Sequence, residues 1–494
     1  MTDTTLAGAR PDLADPTLLR EAALIGGAWL EAAGADALEV ISPAYGGPVG
    51  RIPACGRAET EAAIAAANAA WPEWRARTAG ERAALLERWH ALVLANAEDL
   101  ARIVTAEQGK PLAEARGEIA YAASFIKWFA EEGRRVSGHT VAAPERNRRI
   151  LVLMEPIGVS AAITPWNFPA AMITRKCAPV LAAGCPVVIK PSELTPFTAI
   201  ALIELAQRAG FPDGTINLVT GLPTEIGAAI TASPVVRKLS FTGSTRVGSL
   251  LMRQSADTIK KLSLELGGNA PLIVFEDADL DLAVAATMAS KFRNAGQTCV
   301  CANRILVADA IHDEFAARLA KAVSGLNAAP GFEAGSTVGP LINPAAVAKV
   351  ESHFADVLAH GGKLLASGTG REDGNFVRPV VMTGASPEMK LAREETFGPI
   401  AALFRFGSEA EALELANATE FGLAAYFYTR DLSRAFRVAE RLESGMVVLN
   451  TGGMAMEMAP FGGIKQSGLG REGGREGIEE YLEAKAFHIG GLEI

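Results

Sequence analysis

The stretch Pro186-Val-Val-Ile-Lys-Pro-Ser-Glu-Leu-Thr-Pro-Phe-Thr-Ala-Ile-Ala-Leu-Ile-Glu-Leu-Ala-Gln-Arg-Ala209 decides the fold. Its apolar start, Pro186–Ile189, reads as a short buried strand. A polar loop follows, and then a helical pattern over Thr195–Ala209. The same alternation recurs on both sides. Strand signals occur at Gly158–Ile163, Thr215–Val219, Arg237–Phe241 and Lys261–Leu264, with a second helical pattern at Ser244–Gln254. Strands alternating with helices predict a parallel, doubly wound α/β sheet. Five short strands in about one hundred residues match a dinucleotide-binding domain.

Outward from this core, a second α/β set begins at Pro271-Leu-Ile-Val-Phe275 and runs to about residue 447. Residues 57–135 are rich in Ala, Glu and Arg at helical spacing, and two or three helices are expected there. Residues 1–20 read as a loose tail. Residues 148–154 and the C-terminal Ala486-Phe-His-Ile489 read as lone strands. A lone strand must pair, or its backbone groups go unsatisfied, so pairing with a neighbouring subunit is expected.

Composition bounds the function. A chain of 494 residues is too long for one compact core. An apolar fraction of 49% and a charged fraction of 21% suit a soluble globular protein. The net charge of −9 argues against a nucleic-acid surface. No apolar run is long enough to span a bilayer, and the N-terminus lacks a signal-peptide pattern. Five cysteines are too few for a disulfide framework, and the six histidines are scattered without metal spacing. A cytoplasmic enzyme without a metal is expected.

Several residues carry candidate chemistry. Cys299 follows a Gly296-Gln297 turn that can expose its thiol and its own amide, with the cation Arg293 six residues earlier. Taken alone it reads first as a buried structural thiol. Glu265 ends an apolar strand before Gly267-Gly268, where a partly buried carboxylate can serve as a general base. Asn167 sits between Pro165 and Pro169 on a stiffened loop, where its amide can donate to an oxyanion. Lys190 and Glu193 follow a strand end, where α/β sheets bind ligands and a ribose can be held. Gly243 and Ser244 open a helix whose amides attract phosphate, although no G-x-G-x-x-G follows any strand.

Seven motifs in order resemble the aldehyde dehydrogenase superfamily over nearly the whole chain. They are Pro165-Trp-Asn-Phe-Pro169, Lys190-Pro-Ser-Glu193, Phe241-Thr-Gly-Ser244, Leu264-Glu-Leu-Gly-Gly268, Gly296-Gln-Thr-Cys299, Glu395-Thr-Phe-Gly-Pro399 and Pro460-Phe-Gly-Gly463. The resemblance implies a Rossmann-like cofactor domain without the glycine fingerprint, an α/β catalytic domain and a small β oligomerisation element. It assigns residues 1–137 and 156–265 to the first, 266–479 to the second, and 138–155 with 480–494 to the third. It also implies that Cys299 attacks the aldehyde, that Asn167 and the Cys299 amide hold the oxyanion, and that Glu265 activates water against a thioester. Trp166, Lys190, Glu193, Gly243, Ser244, Leu266, Glu395 and Phe397 would bind the cofactor. Glu265 favours hydrolysis over transfer to coenzyme A. A homodimer or homotetramer is expected.

Within the superfamily, Met172-Ile-Thr-Arg-Lys176, Lys291-Phe-Arg-Asn294, Cys299-Val-Cys301 and Lys465-Gln-Ser-Gly-Leu-Gly-Arg471 resemble succinate-semialdehyde dehydrogenases. There, arginines matching Arg175 and Arg293 bind the substrate's distal carboxylate, and the matching cysteine pair, here Cys299 and Cys301, forms a reversible disulfide. Arginines that pair with structural acids, and a Cys301 that is only a core residue, are the alternatives. One departure is Ala455, where that subfamily often carries a serine; it brings in glutarate semialdehyde as a second substrate. Glu193 favours NAD, while Ser192 and Lys190 leave NADP open. A broad-range aldehyde dehydrogenase and a non-catalytic binding descendant complete the alternatives.

Overall fold

A computed structural model describes residues 9–32 and 37–493. Five parallel strands stand in the order Ile216–Leu218, Val187–Lys190, Ser160–Ile163, Lys238–Thr242, Lys261–Glu265. In chain order this is 3-2-1-4-5, the doubly wound arrangement. Successive residues face opposite sides. Ala162, Val187 and Ile189 join one apolar cluster, with helices Pro169–Ala183 and Phe197–Arg208. Ala161, Ile163, Val188, Leu239 and Phe241 join another, with helix Arg57–Ala76. Burial on both faces is why these strands read as continuous apolar runs rather than alternating ones.

The strand order reverses between Ser160–Ile163 and Lys238–Thr242, so the loops leaving their carboxyl ends diverge and open a crevice. The far edge of this sheet is closed by Gly468–Leu469, antiparallel to Lys261–Glu265 with Gly468 opposite Glu265. A hairpin of Ala22–Ile25 and Ala28–Glu31 closes the near edge. A second sheet of seven strands, Lys363–Ser367, Val380–Thr383, Ile400–Phe406, Ala302–Ala308, Ala270–Val274, Ala424–Tyr428 and Met446–Leu449, is parallel except at its first strand.

Three expectations need correction. The segment 57–135 holds four helices, Arg57–Ala76, Ala79–Ala95, Ala97–Gln108 and Leu112–Glu132. The first break is a capping box: Glu81 N donates to Thr78 Oγ1 at 3.3 Å and Thr78 N donates to Glu81 Oε2 at 2.7 Å. The expected tail is anchored where it is described: Ala14 and Asp15 amides donate to Asp99, and Leu18 is buried; residues 1–8 lie outside the described residues. The C-terminal strand finds its partner within the chain. Leu482–Ile489 pairs antiparallel with Arg149–Pro156 over its full length, and His139–Val141 lies on the other side. No helix among the described residues is long and apolar enough to cross a membrane.

Candidate active site

The crevice at the strand reversal holds a cleft of about 260 Å³. Eight of the sequence-predicted residues meet on its walls: Trp166, Asn167, Gly243, Ser244, Leu266, Cys299, Glu395 and Phe397. They come from five chain regions, three following parallel strands and two, the Cys299 and Glu395–Phe397 loops, preceding them. Lys190, Glu193, Glu265, Arg175 and Arg293 lie off these walls.

The Cys299 loop is held in an unusual path. Asn294 and Ala295 adopt left-handed backbone at φ 53° and 56°, and Gly296 follows at 74°. Left-handed non-glycine residues cost about 1–3 kcal/mol each and persist only where surroundings fix them. Here Asn294 N donates to Glu114 Oε2 at 2.8 Å, and the Gln297 carboxamide bonds to Asn294 O, Pro340 O and the Ile342 amide. Gly268 lets another strand end approach, since a side chain there would begin 2.4 Å from Cys299 O. Burial pushes the Cys299 thiol up to about 12, against the pull of Arg175 and Arg293. Cys301 is buried, and its sulfur sits 3.4 Å from Lys291 Nζ.

Asn167 is fixed by groups that sequence reasoning missed. Its carbonyl accepts from Lys110 Nζ at 2.8 Å and from Asn294 Nδ2 at 3.0 Å. Lys110 is buried against Glu118 at 2.5 Å, and Glu118 also accepts from the amides of Ala170 and Ala171 at the start of helix Pro169–Ala183. The backbone of the Asn167 loop is therefore held independently of its side chain. The side-chain Nδ2 donates to Gln297 O at 3.0 Å, while Oδ1 is buried without a partner.

Glu265 lies in a nest of charges beside the cleft. Glu472, on the returning C-terminal segment, contacts Arg175 at 2.6 Å, bonds to Lys176 Nζ, and accepts from Ser240 Oγ at 3.1 Å. Burial alone would raise the Glu472 carboxyl, but the Lys176 and Arg175 cations overcome it and hold it at about 2. Burial, and then the Glu472 charge, push Glu265 well above the carboxylate range. Its Oε1 is buried with no partner. Arg175 is buried with its guanidinium 4.2 Å from the Phe461 ring centre, already matched by Glu472. Arg293 is exposed, 5.2 Å over Phe168, and no ion pair to it exists among the described residues.

The other end of the cleft suits a dinucleotide. Ser244 caps helix Thr245–Ser255, accepting from Val247 N at 3.4 Å, and directs the first-turn amides toward the crevice. Lys190 Nζ and Glu193 Oε2 pair at 2.6 Å past the end of Val187–Lys190. Thr242 Oγ1, on the cleft wall, is buried with no partner. Glu395 accepts from Gly268 N at 3.2 Å, and burial pushes its carboxyl up to about 7. Trp166 and Phe397 meet edge to face at 5.6 Å, flanking the cleft. Lys349 on helix Pro344–Ala359 also lines it; sequence reasoning missed it because nothing local distinguishes it from a surface lysine. No group of three or more His, Cys, Asp or Glu able to hold a metal occurs among the described residues.

A doubly wound sheet, a cleft fitted to a dinucleotide and a thiol at its inner wall define an oxidoreductase class that acts on aldehydes with NAD(P). The comparisons give the family. The chain belongs to the aldehyde dehydrogenase family, whose model matches residues 29–487. It is 58% identical to the 3-sulfolactaldehyde dehydrogenase of Pseudomonas putida, covering 98% of this chain and 99% of that one. It is also 58% identical to the NADP(+) succinate-semialdehyde dehydrogenase GabD of Escherichia coli, covering 97% and 99%. A Pseudomonas putida glutarate-semialdehyde dehydrogenase is 57% identical over 97% and 99%. The crystal structure of succinate-semialdehyde dehydrogenase from Burkholderia pseudomallei superimposes with a TM-score of 0.95 at 60% identity, covering 97% of this chain and all of that one.

Proposed function

We propose that this enzyme oxidises a short aldehyde carrying a distal anion to its acid, succinate semialdehyde foremost, in the cytoplasm. The observation that carries this is Arg293: an exposed guanidinium without an ion pair among the described residues, acting electrostatically on Cys299. A cation left unmatched beside a nucleophile is suited to an anionic substrate tail. Arg175 joins it in the substrate site, but its charge is already balanced by Glu472, so Arg293 supplies the net positive charge. The relatives named above support the class, since two act by name on semialdehydes of dicarboxylic acids.

In this reading Cys299 attacks the aldehyde carbon, and its proton must leave, because burial favours the thiol. The Asn167 side-chain amide and the Cys299 backbone amide donate to the resulting oxygen. When bound, the nicotinamide supplies the hydride acceptor. Glu265, as its carboxylate, then takes a proton from the water that cleaves the thioester, and burial with the Glu472 charge makes it the stronger base. Lys190 and Glu193 hold the adenosine ribose, Gly243 and Ser244 the diphosphate, and Glu395 with Phe397 the nicotinamide ribose. Trp166 and Leu266 line the cofactor's path. Glu193 favours NAD; Ser192 and Lys190 admit NADP.

A second reading, favoured by Ala455, is a bulkier ω-anionic substrate such as glutarate semialdehyde. Met454 and Ala455 pack against the same apolar cluster as Cys299, and their side chains bring no hydrogen-bond donor there. We also assign residues 1–137 with 156–265 to cofactor binding, 266–479 to catalysis, and 138–155 with 480–494 to pairing between subunits. The outer edge of Leu482–Ile489 supports a homodimer or homotetramer. Turnover of succinate semialdehyde, glutarate semialdehyde and pentanal, each with NAD and NADP, tests the reading. Equal kcat/KM on charged and uncharged aldehydes refutes it. Arg293→Ala should lose activity on the charged substrates far more than on pentanal.

A further inference from the structure

We propose that Tyr121 donates a hydrogen bond to the distal anion of the substrate, and so reads it together with Arg293. This rests on the reading above that the substrate carries such an anion. Tyr121 lies on helix Leu112–Glu132, edge-on to Phe125 with ring centres 4.8 Å apart. Its ring is partly exposed, but its hydroxyl is out of solvent and has no hydrogen-bond partner of good geometry. A buried hydroxyl without a partner is uncommon in folded chains and marks a group that a ligand or water completes.

The surroundings say which ligand. The phenol lies near Arg175, which can donate to its oxygen, and within electrostatic reach of Arg293 and Cys299; its own O–H is left to donate. Arg175 is committed to Glu472 at 2.6 Å and to Met172 Sδ at 3.2 Å, which fixes it in place but leaves it without net charge. Arg293 is unmatched and exposed, and it stands over Phe168. An anionic tail drawn in by Arg293 meets one free donor of a different kind, the Tyr121 O–H. Met454 and Ala455 bring only apolar side chains to the cluster against which Cys299 packs. Tyr121 thus supplies the neutral donor that an alanine at 455 cannot.

Such a donor discriminates asymmetrically. A carboxylate or sulfonate oxygen completes it, whereas an alkyl tail leaves the hydroxyl buried and unpaired. Tyr121→Phe keeps the ring against Phe125 and removes only the donor.

The test compares Tyr121→Phe and Arg293→Ala with the parent enzyme on succinate semialdehyde and pentanal. Tyr121→Phe should lose about 10- to 100-fold in kcat/KM on the semialdehyde, carried mainly by KM, and nothing on pentanal. Equal losses on both aldehydes would make Tyr121 a structural residue and overturn the proposal. Selective loss in Arg293→Ala with none in Tyr121→Phe overturns the Tyr121 role alone. No selectivity in either variant overturns the anionic-substrate reading beneath it. Pentanal turnover in the same preparation shows whether the variant has folded.

Discussion

Asn167→Ala separates transition-state stabilisation from folding stability, because the structure gives opposite expectations for the two. The side chain makes one hydrogen bond, Nδ2 to Gln297 O at 3.0 Å, and its loss costs about 1 kcal/mol. Its Oδ1 is buried with no partner, and removing that acceptor returns about 1–3 kcal/mol. Gln297 O keeps a second donor, Asn294 Nδ2 at 3.2 Å. The Asn167 backbone carbonyl keeps both Lys110 and Asn294. The loop should therefore hold its path, and the melting temperature should move by no more than about 4 °C. Catalysis should fall much further. One oxyanion donor is worth about 10²–10³ in kcat, or roughly 2.7–4 kcal/mol of transition-state stabilisation. The assay is NADH formation at saturating aldehyde, with a thermal melt on the same preparation. A kcat within about threefold of the parent, at unchanged melting temperature, would refute the oxyanion role. A parallel collapse of both would show that the loop depends on the side chain after all.

Three further outcomes are expected. Burial pushes Glu395 up to about 7, so its carboxylate forms only as pH passes neutrality; NADH affinity, followed by fluorescence titration, should rise between about pH 6 and 8 and be flat in Glu395→Gln. In Glu472→Gln, Arg175 and Lys176 lose a buried counter-charge, and unfolding by urea should show a loss of about 3–5 kcal/mol. The Glu472 carboxyl is depressed to about 2 in the fold, so its contribution is present above its usual 4.5 and lost as pH falls toward 2; the variant should lack that component of acid sensitivity. Finally, if Cys301 resolves oxidised Cys299 through a small, strained ring, peroxide should inactivate the parent enzyme and dithiothreitol restore it. Cys301→Ala should inactivate without recovery, and recovery like the parent's would end that idea.

The parallel strands were legible because they are buried on both faces, which makes them short unbroken apolar runs such as Val187–Lys190. The helix count in 57–135 was not, because one alanine-rich pattern continues across breaks that depend on single residues: the Thr78 cap, Asn96 closing on Leu92 O, and left-handed Gly109. The strands Ala22–Ile25 and Ala28–Glu31 went unread; they are four residues each and owe their existence to the pairing of Leu24 with Leu218. Lys110 and Glu118 had a faint signal. Glu118 falls on the helix face that buries Ala115, Ile119 and Ala122, and a carboxylate there needs a partner. The partner's identity required the fold.

Glu265 and Glu472 mark the limit of local reading most clearly. Glu265 was legible as a strand-end carboxylate before two glycines. The size of its upward shift was not, because burial depends on the packed fold and the charge that adds to it arrives from the far end of the chain. The short strand Gly468–Leu469 pairs beside Glu265, and this brings Glu472 into the same cluster as Arg175 and Lys176. The two cations stabilise Glu472 as an anion at the expense of Glu265, which lies close enough to feel that charge and too deep for water to screen it. The two carboxylates have environments that push them apart: Glu472 is held low beside Arg175 and Lys176, and Glu265 is pushed up. The base strength of Glu265 is therefore set by burial and tuned by the returning segment, and any substitution that loosens Gly468–Leu469 from the sheet should alter thioester hydrolysis before it alters cofactor binding.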